Sequence, residues 1–320
     1  MSASVRTHLA EAGRRLAGAG VETPRLDARI LLAAAMATSA DRLIGEPEAP
    51  VPVPAARRFA AAIDRRAARE PVSRILGVRE FWSLDFRIGA ATLDPRPDSE
   101  TLVSAALARL PSRVAALRLL DLGCGSGCLL LALLSELPRA SGLGIDLAPR
   151  AVAIAAANAR RLGLSARARF RIGDWDHALA GRFDVILSNP PYIERPALAG
   201  LAPEVRLHDP RLALDGGVDG LDGHRALAGA LGRRLDRDGF AVVEVGAGQA
   251  DAAERIYLAA GLVSYERARD LSGTVRALIL GRRAGKKLLE TAGRGSSLPP
   301  GKRDPEVWPR GARPVLCSPP

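Results

Sequence analysis

Two short stretches hold the residues best suited to chemistry. The first is Asp121-Leu122-Gly123-Cys124-Gly125-Ser126-Gly127. Alternate glycines let a backbone turn sharply and lie close against a ligand. A dinucleotide fingerprint asks for Gly or Ala at position 128, where Cys128 stands, so a pyrophosphate is not the expected ligand. The acid Asp121 ahead of the glycines suits a ligand with a positive amino group instead. Asp146 ends Gly144-Ile145-Asp146, a place where a carboxylate accepts from two ribose hydroxyls. Asp174 can accept from an adenine amino group, and Trp175 can cover an adenine ring. Asp121, Gly123, Cys124, Gly125, Ser126, Gly127, Asp146, Asp174 and Trp175 are therefore candidates to hold a nucleoside-like cofactor.

The second stretch is Ser188-Asn189-Pro190-Pro191-Tyr192. Consecutive prolines fix the backbone and leave carbonyls that no following strand can pair. Asn189 brings a side-chain carbonyl and Pro190 a main-chain one. Two acceptors side by side suit a planar NH₂ group, which has two hydrogens to place. An amide nitrogen is a poor nucleophile because its lone pair is delocalised. Holding both hydrogens orients that lone pair, and Tyr192 can pack flat on the amide. Orientation and electrostatics would then supply most of the acceleration, without a strong general base.

These residues need a scaffold that brings strand ends together. Expected strands at 119–122, 143–146, 167–172, 183–188 and 240–245 alternate with helices at about 127–137, 149–162, 222–235 and 249–260. Such alternation implies an α/β fold with a parallel sheet covered on both faces. A last pair at 263–267 and 275–280 has the spacing of an antiparallel hairpin. Both chemical stretches then fall at carboxyl ends of strands, facing one crevice. Upstream, residues 1–75 read as helical. Thr23-Pro24 is expected to start a helix with Leu26, Ile30, Leu31 and Ala34 on its inner face, and Phe59 and Ile63 share a face of another. Leu84, Phe86 and Ile88 alternate with Asp85 and Arg87, as in a strand or hairpin, and Asp98 is the expected cap of the next helix.

Composition narrows the classes. No apolar run approaches the ~20 residues of a membrane span, and the N-terminus lacks a leader pattern, which points to the cytoplasm. Cys124, Cys128 and Cys317 form no CxxC pair, so neither a disulfide framework nor a metal site is expected. The formal charge of +11 invites a nucleic-acid reading, but +6 of it falls in residues 281–320. Residues 1–280 contain no lysine, so the preference for arginine reads as compositional habit.

Taken together, these motifs resemble the HemK/PrmC family, the protein-(glutamine-N5) methyltransferases acting on peptide-chain release factors. The resemblance runs from about 5 to 282 and includes Arg74-Ile75-Leu76-Gly77, Glu80-Phe81-Trp82, Leu93-Asp94-Pro95-Arg96-Pro97-Asp98-Ser99-Glu100, Pro203-Glu204-Val205, the segment from Asp209 to Gly217, and Asp219-Gly220-Leu221. Ser99 stands where the family commonly has threonine. The resemblance implies a class I, Rossmann-like methyltransferase fold with a seven-stranded sheet and a small N-terminal helical domain that contacts the release factor. It implies S-adenosyl-L-methionine at residues 123–127, Asp146, Trp175 and Asn189. It also implies that Asn189, Pro190, Pro191 and Tyr192 bind the glutamine of a Gly-Gly-Gln tripeptide, with Asn189, Pro190 and Tyr192 catalytic. The expected organisation is a recognition domain at 1–75, a linker hairpin at 76–95, a catalytic domain at 96–282 and a disordered basic tail at 283–320. The enzyme is expected to act as a monomer, with no membrane and no nucleic-acid requirement.

Three other readings compete. A glutamine methyltransferase of a ribosomal protein would carry the same Asn-Pro-Pro-Tyr, but Phe81-Trp82 and Pro95-Arg96-Pro97 favour the release-factor type. An exocyclic amine of DNA or RNA also presents a planar NH₂, yet residues 1–280 are modestly charged and poor in aromatics. A binding module with a vestigial cofactor site would not need Asp146, Asn189 and Tyr192 intact. Because the tail's composition cannot support a packed core, truncation after Arg283 should leave methyl transfer to purified substrate intact at low and moderate salt. A large loss of turnover in a stable truncated protein would contradict that expectation.

Overall fold

The computed structural model describes residues 3–282, so the expected tail lies outside the described residues. The chain divides into two compact units, the first ending at Ala67 and the second beginning at Ala68.

The first unit is helical: α1 (Val5–Gly18), α2 (Pro24–Met36), α3 (Ala40–Gly45) and α4 (Val53–Ala67). Its core holds Leu16, Leu31, Leu32, Phe59 and Ile63. The inner face of α2 is Ala28, Leu31, Leu32 and Ala35, whereas Leu26 is exposed, so the expected face is rotated. The cause is Asp27, which the fold buries against Arg66 of α4 with an Nε–Oδ2 distance of 2.7 Å. Thr23 also serves that pair. Its hydroxyl donates to Asp27 at 2.8 Å rather than capping the backbone of α2.

The second unit opens with α5 (Val72–Leu76) and the hairpin β1 (Val78–Phe81) and β2 (Leu84–Arg87). Then follow α6 (Glu100–Arg109), β3 (Arg118–Leu122), α7 (Cys128–Glu136), β4 (Ser141–Asp146), α8 (Pro149–Arg161), β5 (Ala168–Ile172), β6 (Phe183–Ser188), α9 (Pro203–His208), α10 (Asp222–Arg234), β7 (Leu235–Glu244), α11 (Ala250–Ala259), β8 (Leu262–Arg269) and β9 (Val275–Arg282). Seven strands form one sheet in the order β5-β4-β3-β6-β7-β9-β8. The first five are parallel, and β9 runs antiparallel to both β7 and β8. Period-two alternation supplies both faces. Leu119, Val185, Leu187, Val242 and Ile279 pack with α6 and α7 on one side. Leu120, Leu122, Ile186, Val243 and Leu280 pack with α10 and α11 on the other. No helix among the described residues is long and apolar enough to cross a membrane.

Two local expectations change. Asp98 does not cap α6. A short 3₁₀ turn, Pro97–Ser99, precedes the helix, and Asp98 pairs with Arg276 at 3.1 Å instead. Strand β7 starts earlier than expected because Leu235 pairs with Phe183 before the polar residues 236–238 bulge out. Gly239 makes the bulge fit, since a Cβ there would lie 2.7 Å from the Asp184 carbonyl.

The hairpin expected as a linker packs into the core of the second unit. Phe81 and Phe86 are 1% and 0% exposed and pack with Leu102, Val103 and Leu130. Its two-residue turn, Trp82-Ser83, takes positive φ at both positions, the geometry that matches strand twist but strains non-glycine residues. Glu100 accepts the Trp82 backbone N–H at 2.7 Å and Glu136 accepts its indole N–H at 2.9 Å, which holds the turn. Arg74 is likewise buried against Asp209 at 2.5 Å and donates to the Gly89 and Thr92 carbonyls. Phe86→Ala should therefore destabilise the second unit by about 3–5 kcal/mol in chemical denaturation. A hairpin that only linked two domains would show a loss below about 1 kcal/mol.

Candidate active site

In an open sheet, ligands sit beyond the carboxyl ends of the strands where the order turns back. That point is β3, which pairs with β4 on one side and β6 on the other. The loops leaving β3, β4, β5 and β6 there enclose a cavity of about 280 Å³.

The β3 loop forms its floor. Gly123 and Gly125 adopt positive φ, and a Cβ on either would meet nothing within 4 Å, so the loop presents bare backbone to open space. Gly127 turns the chain into α7 where a Cβ would press on Ala155 and Phe170, which places it behind the loop. Asp146 ties the floor to the β4 end. One carboxylate oxygen accepts from the Gly125 N–H at 2.8 Å and the other from the Ala148 N–H at 2.9 Å. Each oxygen keeps a lone pair, and Asp146 lines the cavity. Cys124, Ser126, Asp174 and Trp175 line it as well. Trp175 has positive φ and also packs against the core. Burial pushes the Cys128 thiol up to about 12 and the Cys124 thiol well up, so both are inert neutral packing groups. No cluster of metal-ligating side chains occurs among the described residues.

Asn189 and Pro191 form the opposite wall. Asn189 Nδ2 donates to Ser99 Oγ at 3.3 Å, and Ser99 Oγ donates to Glu244 at 2.6 Å. Pro190 is buried behind the wall, against Gly223 of α10, where a Cβ would come within 2.9 Å. Tyr192 also stands off the wall. Its hydroxyl donates to Glu244 at 3.2 Å and its carbonyl accepts from Gln249 at 2.9 Å. Tyr192, expected to pack flat on a bound amide, is thus tethered by its hydroxyl to the end of β7.

Asp121 is fully buried at the end of β3, beneath the wall rather than on it, and neither carboxylate oxygen has a hydrogen-bond partner. Burial, with the neighbouring Asp146 charge adding, pushes its carboxyl up to about 7. Several wall residues carried no expectation of a site role: Ala91, Leu93, Arg96 and Ser99 before α6, and Pro210 and Leu212 after α9. Arg96 is aimed by Asp209, at 2.5 Å, the same carboxylate that binds Arg74. Their shared signal was the pair of segments around 93–100 and 209–217, which local chemistry alone does not mark.

A model of the PrmC N-terminal domain matches residues 7–77, and one of the methyltransferase small domain matches residues 98–202. A release factor glutamine methyltransferase of Rhodospirillum rubrum is 52% identical over 84% of this chain and 82% of its own length. Those of Cereibacter sphaeroides and Agrobacterium fabrum are 47% and 44% identical, over 82% and 86% of this chain and 92% and 96% of their own. The chain belongs to the release factor glutamine methyltransferase family.

Within that family frame Asp121 has a measurable signature. A carboxyl raised in the folded state adds stability that is full below its unfolded value of 3.8 and lost as pH rises to about 7. Asn cannot titrate. Asp121→Asn should therefore gain stability relative to the parent as pH rises from about 4 to about 7, and the difference should level off above that. Urea midpoints across this range test it, and a pH-independent difference would mean that Asp121 is not held as described.

Proposed function

We propose that this chain transfers a methyl group from S-adenosyl-L-methionine to the side-chain amide nitrogen (N5) of the glutamine in the Gly-Gly-Gln tripeptide of a class-one peptide-chain release factor. One observation carries the reading. Asn189, Asp146 and the bare glycine loop face one another across a single cavity.

The residues present fit the cofactor. Asp121 offers an unpartnered buried carboxylate below the loop, matched to an ammonium. Gly123 and Gly125 leave open space where side chains would intrude. Asp146 keeps acceptor capacity for ribose hydroxyls, with Cys124, Ser126, Asp174 and Trp175 completing the pocket. When bound, S-adenosyl-L-methionine supplies an electrophilic methyl on a positively charged sulfur. The chain's part is to hold the glutamine. Asn189 Oδ1, on the cavity wall, accepts one amide hydrogen and so orients the nitrogen lone pair into the cavity, while Pro190, expected to accept the other, is packed behind the wall against Gly223 and fixes the backbone that carries Asn189. Pro191 and the tethered Tyr192 keep that backbone rigid. Apolar walls from Ala91, Leu93 and Leu129 limit water and strengthen these hydrogen bonds. The helical first unit selects the protein partner, since the motifs for chemistry lie in the second. The reaction takes place in the cytoplasm, by a monomer, without nucleic acid.

Asn189→Ala should lower turnover roughly a hundredfold while stability changes little. Asn189→Asp keeps an acceptor but adds a negative charge near the sulfonium, so it should retain cofactor affinity and lose methyl transfer. Labelled-methyl transfer to purified release factor, with nucleic acid and ribosomal protein as controls, measures both. If both variants methylated the glutamine at the parent rate, Asn189 would have no part in holding it.

A further inference from the structure

We propose that Glu244, which does not line the cavity, is a positioning residue that fixes which end of the Asn189 amide faces the cavity, acting through the Ser99 hydroxyl. The inference rests on Asn189 being the acceptor for the substrate amide.

An asparagine side chain has two ends of nearly equal shape and opposite polarity. Only the Oδ1 end can accept a hydrogen from a substrate NH₂. Turned round, Nδ2 would meet that NH₂ donor to donor. Something must therefore set the rotamer. Ser99 Oγ is the group within reach of Asn189 Nδ2, at 3.3 Å. A serine hydroxyl has one hydrogen and can point it either way. Glu244 removes that freedom. Its Oε2 lies 2.6 Å from Ser99 Oγ, and in its ionised form, above about pH 7, it only accepts. The Ser99 hydrogen is committed to Glu244, so Ser99 can only accept from Asn189, and Oδ1 is left for the cavity.

Three further observations support this placement. Ser99 occupies the N-cap position of α6, yet its side chain makes no cap hydrogen bond. The hydroxyl that would stabilise the helix is given to Glu244. Glu244 is 1% exposed at the end of β7, a costly site for an acid. It is held there by two hydroxyls, Ser99 and Tyr192, so it also tethers the Asn189 loop. The charged and titratable groups around it are Arg276 of β9, Asp98 of the turn before α6, Tyr192 of the β6 loop and Cys128 of α7. Burial holds the Glu244 carboxyl up at about 7 even though Ser99, Tyr192 and Arg276 favour the carboxylate, so the ionised form prevails above that pH.

Glu244→Gln is the discriminating variant. Gln can donate to Ser99, which frees Ser99 to donate to Asn189 Oδ1 and turn the amide round. The expected result is a kcat lowered roughly tenfold or more, with KM for release factor and cofactor affinity within about twofold. Ser99→Ala breaks the same chain by a small change on the cavity wall and should lose kcat similarly, while Ser99→Thr should recover most of that loss. The double variant Glu244→Gln/Ser99→Ala should be no slower than the slower single one, because both cut one path. Full kcat in folded Glu244→Gln and Ser99→Ala, or losses that multiply in the double variant, would overturn the inference. Asn189→Ala, assayed alongside, separates the two levels. If it alone is slow, the polarity relay fails and the Asn189 reading stands. If it is fast as well, that reading fails with it.

Discussion

A parallel sheet delivers the carboxyl end of every strand to one edge, and here the strand order reverses at β3. The reversal parts the loops on either side of β3 and leaves a cavity between them. The β3 and β4 loops close one side, through Asp146 and the Gly125 N–H. The β6 loop, with Asn189, closes the other. A one-residue slip of any of these strands would exchange the side chains of two differently packed faces and carry its terminal polar residue away from the edge. The two packed faces of the sheet thus hold the site in register.

Beneath that edge the protein buries acids. Asp121 ends β3 and Glu244 ends β7, both inside otherwise apolar runs. Each is disfavoured as a charge by burial, and each is compensated differently. Glu244 accepts from Ser99 and Tyr192 and lies near Arg276. Asp121 has no such partner. Asp209 plays the third part. Itself buried, it pairs with the buried Arg74 of α5 and the half-exposed Arg96, and so joins α5 to the wall of the cavity.

Much of the fold was legible because the signals were local. Continuous apolar runs ending in Gly, Asp or Asn gave the parallel strands, and the Gly-rich loop, Asp146 and Asn189 were visible because each ends such a run. What was not legible depends on distant partners. Ser99 and Glu244 are 145 residues apart, and nothing in Val242-Val243-Glu244-Val245 marks the acid as anything but an odd residue in a strand. Arg74 and Asp209 are 135 apart. Thr23 and Asp98 looked like caps because their types favour caps, but buried or neighbouring arginines drew the local acids into ion pairs. The inner face of α2 was rotated for the same reason, since burying Asp27 against Arg66 outweighs one exposed leucine. The alternation at 84–88 marks a strand or hairpin, and the structure pairs 78–81 with 84–87, but alternation alone does not say which core the pair joins.

The central claim is that this cavity methylates one amide nitrogen of a protein glutamine. Fragmentation mass spectrometry of a purified release factor, after incubation with the enzyme and S-adenosyl-L-methionine, tests it most directly. One added methyl is expected, on the side chain of the glutamine in Gly-Gly-Gln, and none when that glutamine is replaced. A release factor left unmodified by active enzyme, or a methyl on any other residue, would contradict it.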